Sequence, residues 1–372
     1  MKLAFCLYRY FPYGGMQRNF LAIARECLAR GHQIRVYVLD WQGVVPEGLN
    51  IIYVPVRAVR NTRRYRLYNA WVSRHLSENP VDRVVGFNKM PGLDVYYAAD
   101  PCYAEKAITQ RGWWYRLSAR YRHFIDYEEA VFGPHSHTVL MLLSRPEREI
   151  FERHYKISAN RVRMLPPGIS PDRRAPANAS ELRRVFREQQ RIADDELVLL
   201  QIGSDFVRKG VGRTLQAMAS LPVDLARRTR LLVVGDSDVA PMSRLAARLN
   251  LKDRVHFAGG QEDVLPYLLG ADLFVHPAYH ENTGNVILEA MVAGLPSIVS
   301  AVCGYAHHVQ DADAGIVLRE PFSPQYFVRA LTECLENPRL RADWSENALK
   351  YADSADLYSR PQRAADIILA RN

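Results

Sequence analysis

Residues 276–300 read HPAYHENTGNVILEAMVAGLPSIVS, and the alternation within that stretch sets the fold class. An apolar run, Leu273–Val275, leads into it, and another, Ile298–Ser300, closes it. Between them Val286, Ile287, Ala290 and Met291 recur on one helical face. Asn282 or Thr283 can cap that helix near Gly284, and Gly294 ends it. Short apolar strands separated by helices describe a parallel sheet covered by helices.

The same rhythm extends toward the N-terminus. Leu197–Ile202, Leu231–Val234 and Val255–Phe257 read as strands, and Thr214–Ser220 belongs to a helix. Further back, Leu3–Tyr8, Ile34–Leu39, Ile51–Val54, Arg83–Gly86 and Thr138–Leu143 form another strand series. Its first helix, Gln17–Ala29, follows a Phe11–Gly15 turn and stops at Gly31. The densest Pro/Gly punctuation, Leu165–Pro171, reads as the linker between the series. The expectation is two Rossmann-like, doubly wound parallel-sheet domains facing a central cleft at the carboxyl ends of their strands.

Glu281 and Glu289 are separated by seven residues. Glu281 falls just before the helix start, and Gly284 to Glu289 spans roughly 7.5 Å along the axis. The free N–H groups and positive dipole end of that helix attract phosphate. A nucleotide-sugar would put its sugar at Glu281, its pyrophosphate at Gly284 and Asn285, and its ribose at Glu289. Two exposed helix carboxylates would give the same spacing, so the pair decides nothing alone. The loop Gly203–Gly210, GSDFVRKG, adds adjacent cations, Arg208 and Lys209, directly after a buried strand. A guanidinium grips a diphosphate bidentately and an ammonium adds a point charge. Gly14 and Gly15 end the first strand's turn, where bare backbone can approach a diphosphate.

Composition bounds the function. The 372 residues carry a net charge of +9, and 48% are hydrophobic. Residues 1–170 hold 25 Lys/Arg against 14 Asp/Glu, a balance of +11, while the remainder is −2. The N-terminal half is therefore expected to meet an anionic partner: nucleic acid, phospholipid or a phosphorylated glycan. The five cysteines are scattered without a CxxC, which fits reduced thiols and argues against a zinc site. No apolar run approaches a bilayer span, and MKLAFCLYRYF reads as a strand and not a signal peptide.

These features resemble the retaining glycosyltransferases of the GT-B fold, in the large family 4 group. The segments FCLYRYFPYGGMQR, DRVVGFNKMPGLDVYYAAD, CYAEK, LPPGI, GSDF-x-RKG and AVCGYAH are similar to the heptose-directed lipopolysaccharide core α-1,3-glucosyltransferases, and the likeness covers essentially the whole chain. The resemblance implies an acceptor-binding domain at 1–165, a UDP-sugar-binding domain at 170–352, and a C-terminal helix within 353–372 returning to the first domain. It implies that Arg208 and Lys209 hold the diphosphate and Glu289 the ribose hydroxyls. Glu281 would touch the donor sugar, and Gly15 and Arg173 would approach the phosphates. His123 would reach the reaction centre, and Gln261 would lie beside the uracil. It also implies inner-core heptose as acceptor, at the cytoplasmic face of the inner membrane. Retention without an evident nucleophile fits a front-face mechanism, and Glu281 as a covalent nucleophile is the alternative.

Where glucose-using relatives carry small apolar groups, this chain has Asn282, Thr283 and Asn285, with Tyr97 in place of Phe. UDP-glucose is the family default, and UDP-N-acetylgalactosamine or another UDP-hexosamine is the polar-pocket alternative. A glycoside hydrolase using Glu281 and Glu289 is the reading from another class. Asp236/Asp238 and Asp311/Asp313 form two D-x-D patterns, but cationic groups already offset phosphate charge, so neither metal nor cofactor is expected. Tyr103–Tyr127 interleaves Arg111, Arg116, Arg120 and Arg122 with Trp113, Trp114, Leu117, Tyr121 and Phe124 at helical spacing. That is the composition of an interfacial helix on anionic inner-membrane lipid, the favoured reading, though a core-packed helix gives the same stripe. The basic run Arg57–Arg66 could meet core phosphates or the same membrane. No usual nucleic-acid motif appears, so no nucleic acid partner is expected.

Overall fold

In a computed structural model, residues 1–12 and 14–370 are described. Tyr13 of the Phe11–Gly15 turn, and Arg371 and Asn372 at the end of the expected C-terminal helix, lie outside the described residues. The chain forms two compact units, Met1–Gly168 with Ser359–Asn372, and Ile169–Tyr358.

The first unit is built on seven parallel strands: β1 (Lys2–Cys6), β2 (Gln33–Val38), β3 (Leu49–Tyr53), β4 (Arg83–Gly86), β5 (Val95–Ala98), β6 (Val139–Leu142) and β7 (Val162–Met164). Their order is β3-β2-β1-β4-β5-β6-β7. The central strands are buried on both faces because helices cover both, which is why they read as unbroken apolar runs. The helix Arg360–Leu369 completes this unit, where Ala364, Ala365 and Ile368 pack with Leu3, Phe5 and Phe20. Arg30 on helix Gly15–Ala29 pairs with Asp366 at 2.7 Å, tying the chain's end to its first helix.

The second unit holds β8 (Leu197–Ile202), β9 (Thr229–Val234), β10 (Val255–Gly259), β11 (Leu273–His276), β12 (Ser297–Ser300) and β13 (Gly315–Leu318). The order β10-β9-β8-β11-β12-β13 reverses direction between β8 and β11. In an open α/β sheet, ligands bind outside the carboxyl ends of the strands at such a reversal.

Two local expectations are corrected. Tyr103–Tyr127 is not one helix. An α-helix Tyr103–Gln110, a 3-10 turn Trp113–Leu117 and a helix Ala119–Phe132 succeed one another. Gly112 and Ser118 lie extended between them, and the Ser118 hydroxyl caps the third piece by accepting from the Tyr121 N–H at 3.0 Å. Nor do Asn282 or Thr283 cap the helix Asn285–Val292. Gly284 is its N-cap, at φ +84°, a left-handed conformation that glycine adopts without strain. Among the described residues no helix is long and apolar enough to cross a membrane.

Candidate active site

The site is assembled by the loops that follow β8 and β11. After β8 the backbone turns sharply through Gly203 (φ +139°), Asp205 (φ +63°) and Gly210 (φ +79°). A Cβ on Gly210 would overlap the carbonyl of Pro277, so glycine lets the two loops touch backbone to backbone. Arg213, on the helix Val211–Ala219, strengthens that junction. It donates to the carbonyls of Pro277 and Ala278 at 3.1 Å each and lies 3.7 Å from the centre of the Tyr279 ring.

Glu281 is the hub. Its Oε2 accepts from Lys209 Nζ and, at 3.3 Å, from Arg208 Nη1, and His276 Nε2 lies 3.8 Å away. Arg208 also donates to the His280 carbonyl at 3.1 Å and to Asp205 at 3.2 Å. Burial pushes the Glu281 pKa up, but His276 and the Lys209 ammonium outweigh it and hold the carboxyl well below the usual carboxylate range. His276 itself is fully buried, which lowers its pKa and keeps the ring neutral near pH 7.

Arg208 and Lys209 lie on one loop and Glu281 on another about 70 positions away, and the fold brings all three together. The sequence reading did not single out the residues that position them. Gln201 is 1% exposed, and its amide donates to the Lys209 carbonyl at 2.7 Å while accepting from Thr214 at 3.0 Å. A glutamine inside the otherwise apolar LVLLQI was the available signal, since a buried amide must find partners.

The helix Asn285–Val292 starts beside this cluster. Glu289 is 8% exposed on it, and the Oδ1 of Asn285 at its first position is buried without a hydrogen-bond partner. Thr283 offers its carbonyl to the Tyr305 N–H at 2.8 Å, and Glu281 forms an isolated parallel bridge with Cys303. Segment 301–307 is thereby held alongside the two loops. Arg173 is 8% exposed and reaches Asp263 and the Glu262 carbonyl, both at 3.4 Å, next to exposed Gln261. The Gly235 N–H donates to Gly259 O at 2.8 Å, linking the turns after β9 and β10 at the same end of the sheet.

The remaining candidates belong to the first unit. Gly14 is the N-cap of helix Gly15–Ala29, and a Cβ on Gly15 would meet no protein atom within 4 Å. His123 is 6% exposed on helix Ala119–Phe132, and its Nε2 has no hydrogen-bond partner. Tyr97 calls for a correction. It is fully buried in β5 against Phe87, and its hydroxyl accepts from Arg360 at 3.4 Å. It therefore presents no surface to a sugar.

Trp113, Trp114 and Leu117 are 62%, 66% and 64% exposed. Arg111 lies over Tyr115 and Arg120 over Phe124, while Arg116 and Arg122 are exposed beside them. Among the described residues no cluster of His, Cys, Asp and Glu suits a metal ion. Asp238 caps the backbone N–H of Ala240 at 3.0 Å, and Asp311 ends the helix Ala306–Asp311.

Two family models match: Glycosyl transferases group 1 over residues 183–351 and Glycosyltransferase Family 4 over residues 13–173. The chain is 48% identical over 368 residues to the lipopolysaccharide glucosyltransferase WaaG of Escherichia coli K12, covering 99% of this chain and 98% of that one. The crystal structure of WaaG, a glycosyltransferase involved in lipopolysaccharide biosynthesis, superposes with a TM-score of 0.93 and covers 99% of this chain and 100% of that one. Anabaena HepE in complex with UDP-glucose shares the fold at a TM-score of 0.75 and 17% identity, covering 99% of each chain.

Proposed function

The chain belongs to the family 4 (group 1) glycosyltransferases, and we propose that it moves glucose from UDP-glucose, with retention, onto heptose of the lipopolysaccharide core. The observation that carries this reading is the convergence on the donor unit's strand-order reversal of two cations, a carboxylate and a helix start. The diphosphate lies at the N-terminus of helix Asn285–Val292 and draws Arg208 and Lys209 from Glu281. Its charge grows as the glycosidic bond breaks, so these groups stabilise the leaving UDP more than the bound donor. Glu289 takes the ribose hydroxyls, Arg173 supports the phosphates, and Gln261 lies beside the uracil. The N-terminal unit takes the acceptor, where Gly14 and Gly15 offer bare backbone and His123 an imidazole whose Nε2 has no hydrogen-bond partner.

A Glu281 held ionised by His276 and Lys209 is a weak nucleophile and no general acid, which supports front-face attack over a covalent intermediate and leaves a hydrolase only Glu289 as its acid. Asn282, Thr283 and Asn285 still permit a hexosamine donor, though Tyr97 no longer contributes to that argument. The N-terminal unit meets anionic lipid through Trp113, Trp114, Arg111, Arg116, Arg120 and Arg122. No metal takes part, because the cations and helix start meet the diphosphate charge.

Donor profiling tests the reading. UDP release with heptose-terminated lipopolysaccharide should be fastest from UDP-glucose, compared with UDP-galactose and both UDP-N-acetylhexosamines, and unchanged in EDTA. Faster turnover of UDP-N-acetylgalactosamine would assign the donor to the polar-pocket alternative.

A further inference from the structure

Five arginines crowd the segment that leaves β3. Arg57, Arg60, Arg63 and Arg66 are exposed, Arg64 is half-buried, and none forms an ion pair among the described residues. Arg60 is the N-cap of helix Asn61–Glu78, whose first turn contains no acidic residue. Positive charge there opposes the helix dipole, and Arg60/Arg64 and Arg63/Arg66 repel at helical spacing. A chain that stacks unfavourable charge in one place without internal relief points to an external anion.

The location supports this. Arg57 and Arg60 follow the carboxyl end of β3, the edge of the sheet where Tyr8 and Gly15 follow β1. Tyr65, inside the arginine run, stacks on Tyr8 with ring centres 4.0 Å apart and planes 5° apart. It also lies 6.5 Å from His123. Next to it, Tyr8 Oη and His123 Nε2 are buried and have no hydrogen-bond partner. Burial and the nearby Arg66 push the His123 pKa down, and Asp126 is the carboxylate that opposes them. Unsatisfied buried polar atoms beside a crowd of cations mark a binding surface and not a packed core.

We infer that Arg57, Arg60, Arg63 and Arg66 form a phosphate-binding subsite on the N-terminal unit, which takes phosphate groups carried by the saccharide–lipid acceptor. This rests on the acceptor assignment above. Guanidinium groups bind phosphate bidentately, so the subsite fixes the acceptor's orientation as well as its charge. It differs in composition from the proposed lipid-facing patch, which places exposed tryptophan beside arginine. The arginine run has Val59, fully exposed, as its one large apolar side chain on the surface.

The test compares heptose-terminated lipopolysaccharide in detergent micelles with the same acceptor after chemical removal of its phosphates. The wild-type protein should prefer the phosphorylated acceptor by about tenfold or more in kcat/KM. The triple variant Arg57→Gln/Arg60→Gln/Arg63→Gln should use both acceptors equally, with its KM for UDP-glucose unchanged. Its unfolding temperature should not fall, because the substitution removes repulsion at a helix start. A variant that keeps the preference, or a wild type that has none, overturns the subsite. So does a variant that keeps the preference while no longer binding anionic vesicles, which would assign the arginines to membrane headgroups. Calorimetric binding of the two acceptors reads the same preference without turnover. Absence of transfer from every UDP-sugar would therefore sink the proposed reaction while leaving the subsite tested.

Discussion

Glu281 and Glu289 share a motif but stand in different surroundings, and their substitutions should separate. Glu289 is assigned to the ribose, which UDP and UDP-glucose share, so Glu289→Ala should weaken UDP binding by roughly tenfold to a hundredfold, the loss of a charge-assisted hydrogen bond worth ~1.5–3 kcal/mol. Glu281 instead occupies the two cations assigned to the diphosphate. Removing its charge without leaving Lys209 in an apolar hole, as Glu281→Gln does, should leave UDP affinity unchanged or improved while transfer slows. Calorimetry on both variants decides the assignment, and equal weakening would contradict it. The pH dependence follows from the same geometry. A carboxyl whose pKa lies below its unfolded value contributes stability above the unfolded value and loses it as pH falls through the folded one. The Glu281 contribution should therefore be full down to about pH 5 and fall away progressively below that, as the unfolded chain takes up a proton that the folded one does not. Denaturant unfolding of the wild type and Glu281→Gln should give a stability difference that is flat from pH 7 to about pH 5 and shrinks steadily at lower pH; a difference that does not change with pH would show an unperturbed carboxyl.

At the scale of elements, the alternation of apolar strands and helices was legible because buried parallel strands carry no polar alternation to obscure them. The strand Val95–Ala98 was missed: its four buried residues sit between the punctuation of MPGLD and AADP, which reads as loop. The periodicity of Tyr103–Tyr127 misled in the other direction, since helical spacing survives across a 3-10 turn while the helix itself does not. That break matters for the proposed lipid-facing surface. The short Trp113–Leu117 turn stacks Trp113 on Trp114 at 3.4 Å and leaves both outward, where a continuous helix would have rotated one away. Sedimentation with vesicles should need anionic lipid, weaken with salt, and fall several-fold when Arg116, Arg120 and Arg122 become Gln. Binding to neutral vesicles that ignores salt would contradict an electrostatic mode.

For the molecule as a whole, the charge asymmetry and the two strand series were readable from composition and spacing. What the sequence could not supply was the strand order. Gly203–Gly210 and residues 277–284 are about 70 positions apart, and only the reversal between β8 and β11 makes Lys209 and Glu281 partners. The resemblance of whole segments to glycosyltransferases bridged that gap, since long-range pairing leaves no local periodicity to read. The donor's identity is the point at which resemblance and residues diverge, through Asn282, Thr283 and Asn285. The central claim, front-face transfer from UDP-glucose onto core heptose, is tested most directly by the anomeric configuration of the product. Proton NMR of heptose-terminated lipopolysaccharide glucosylated by this protein should show a single new α-linked hexose, the configuration of the donor. A β-linked product would contradict retention and the front-face arrangement of Arg208, Lys209 and Glu281.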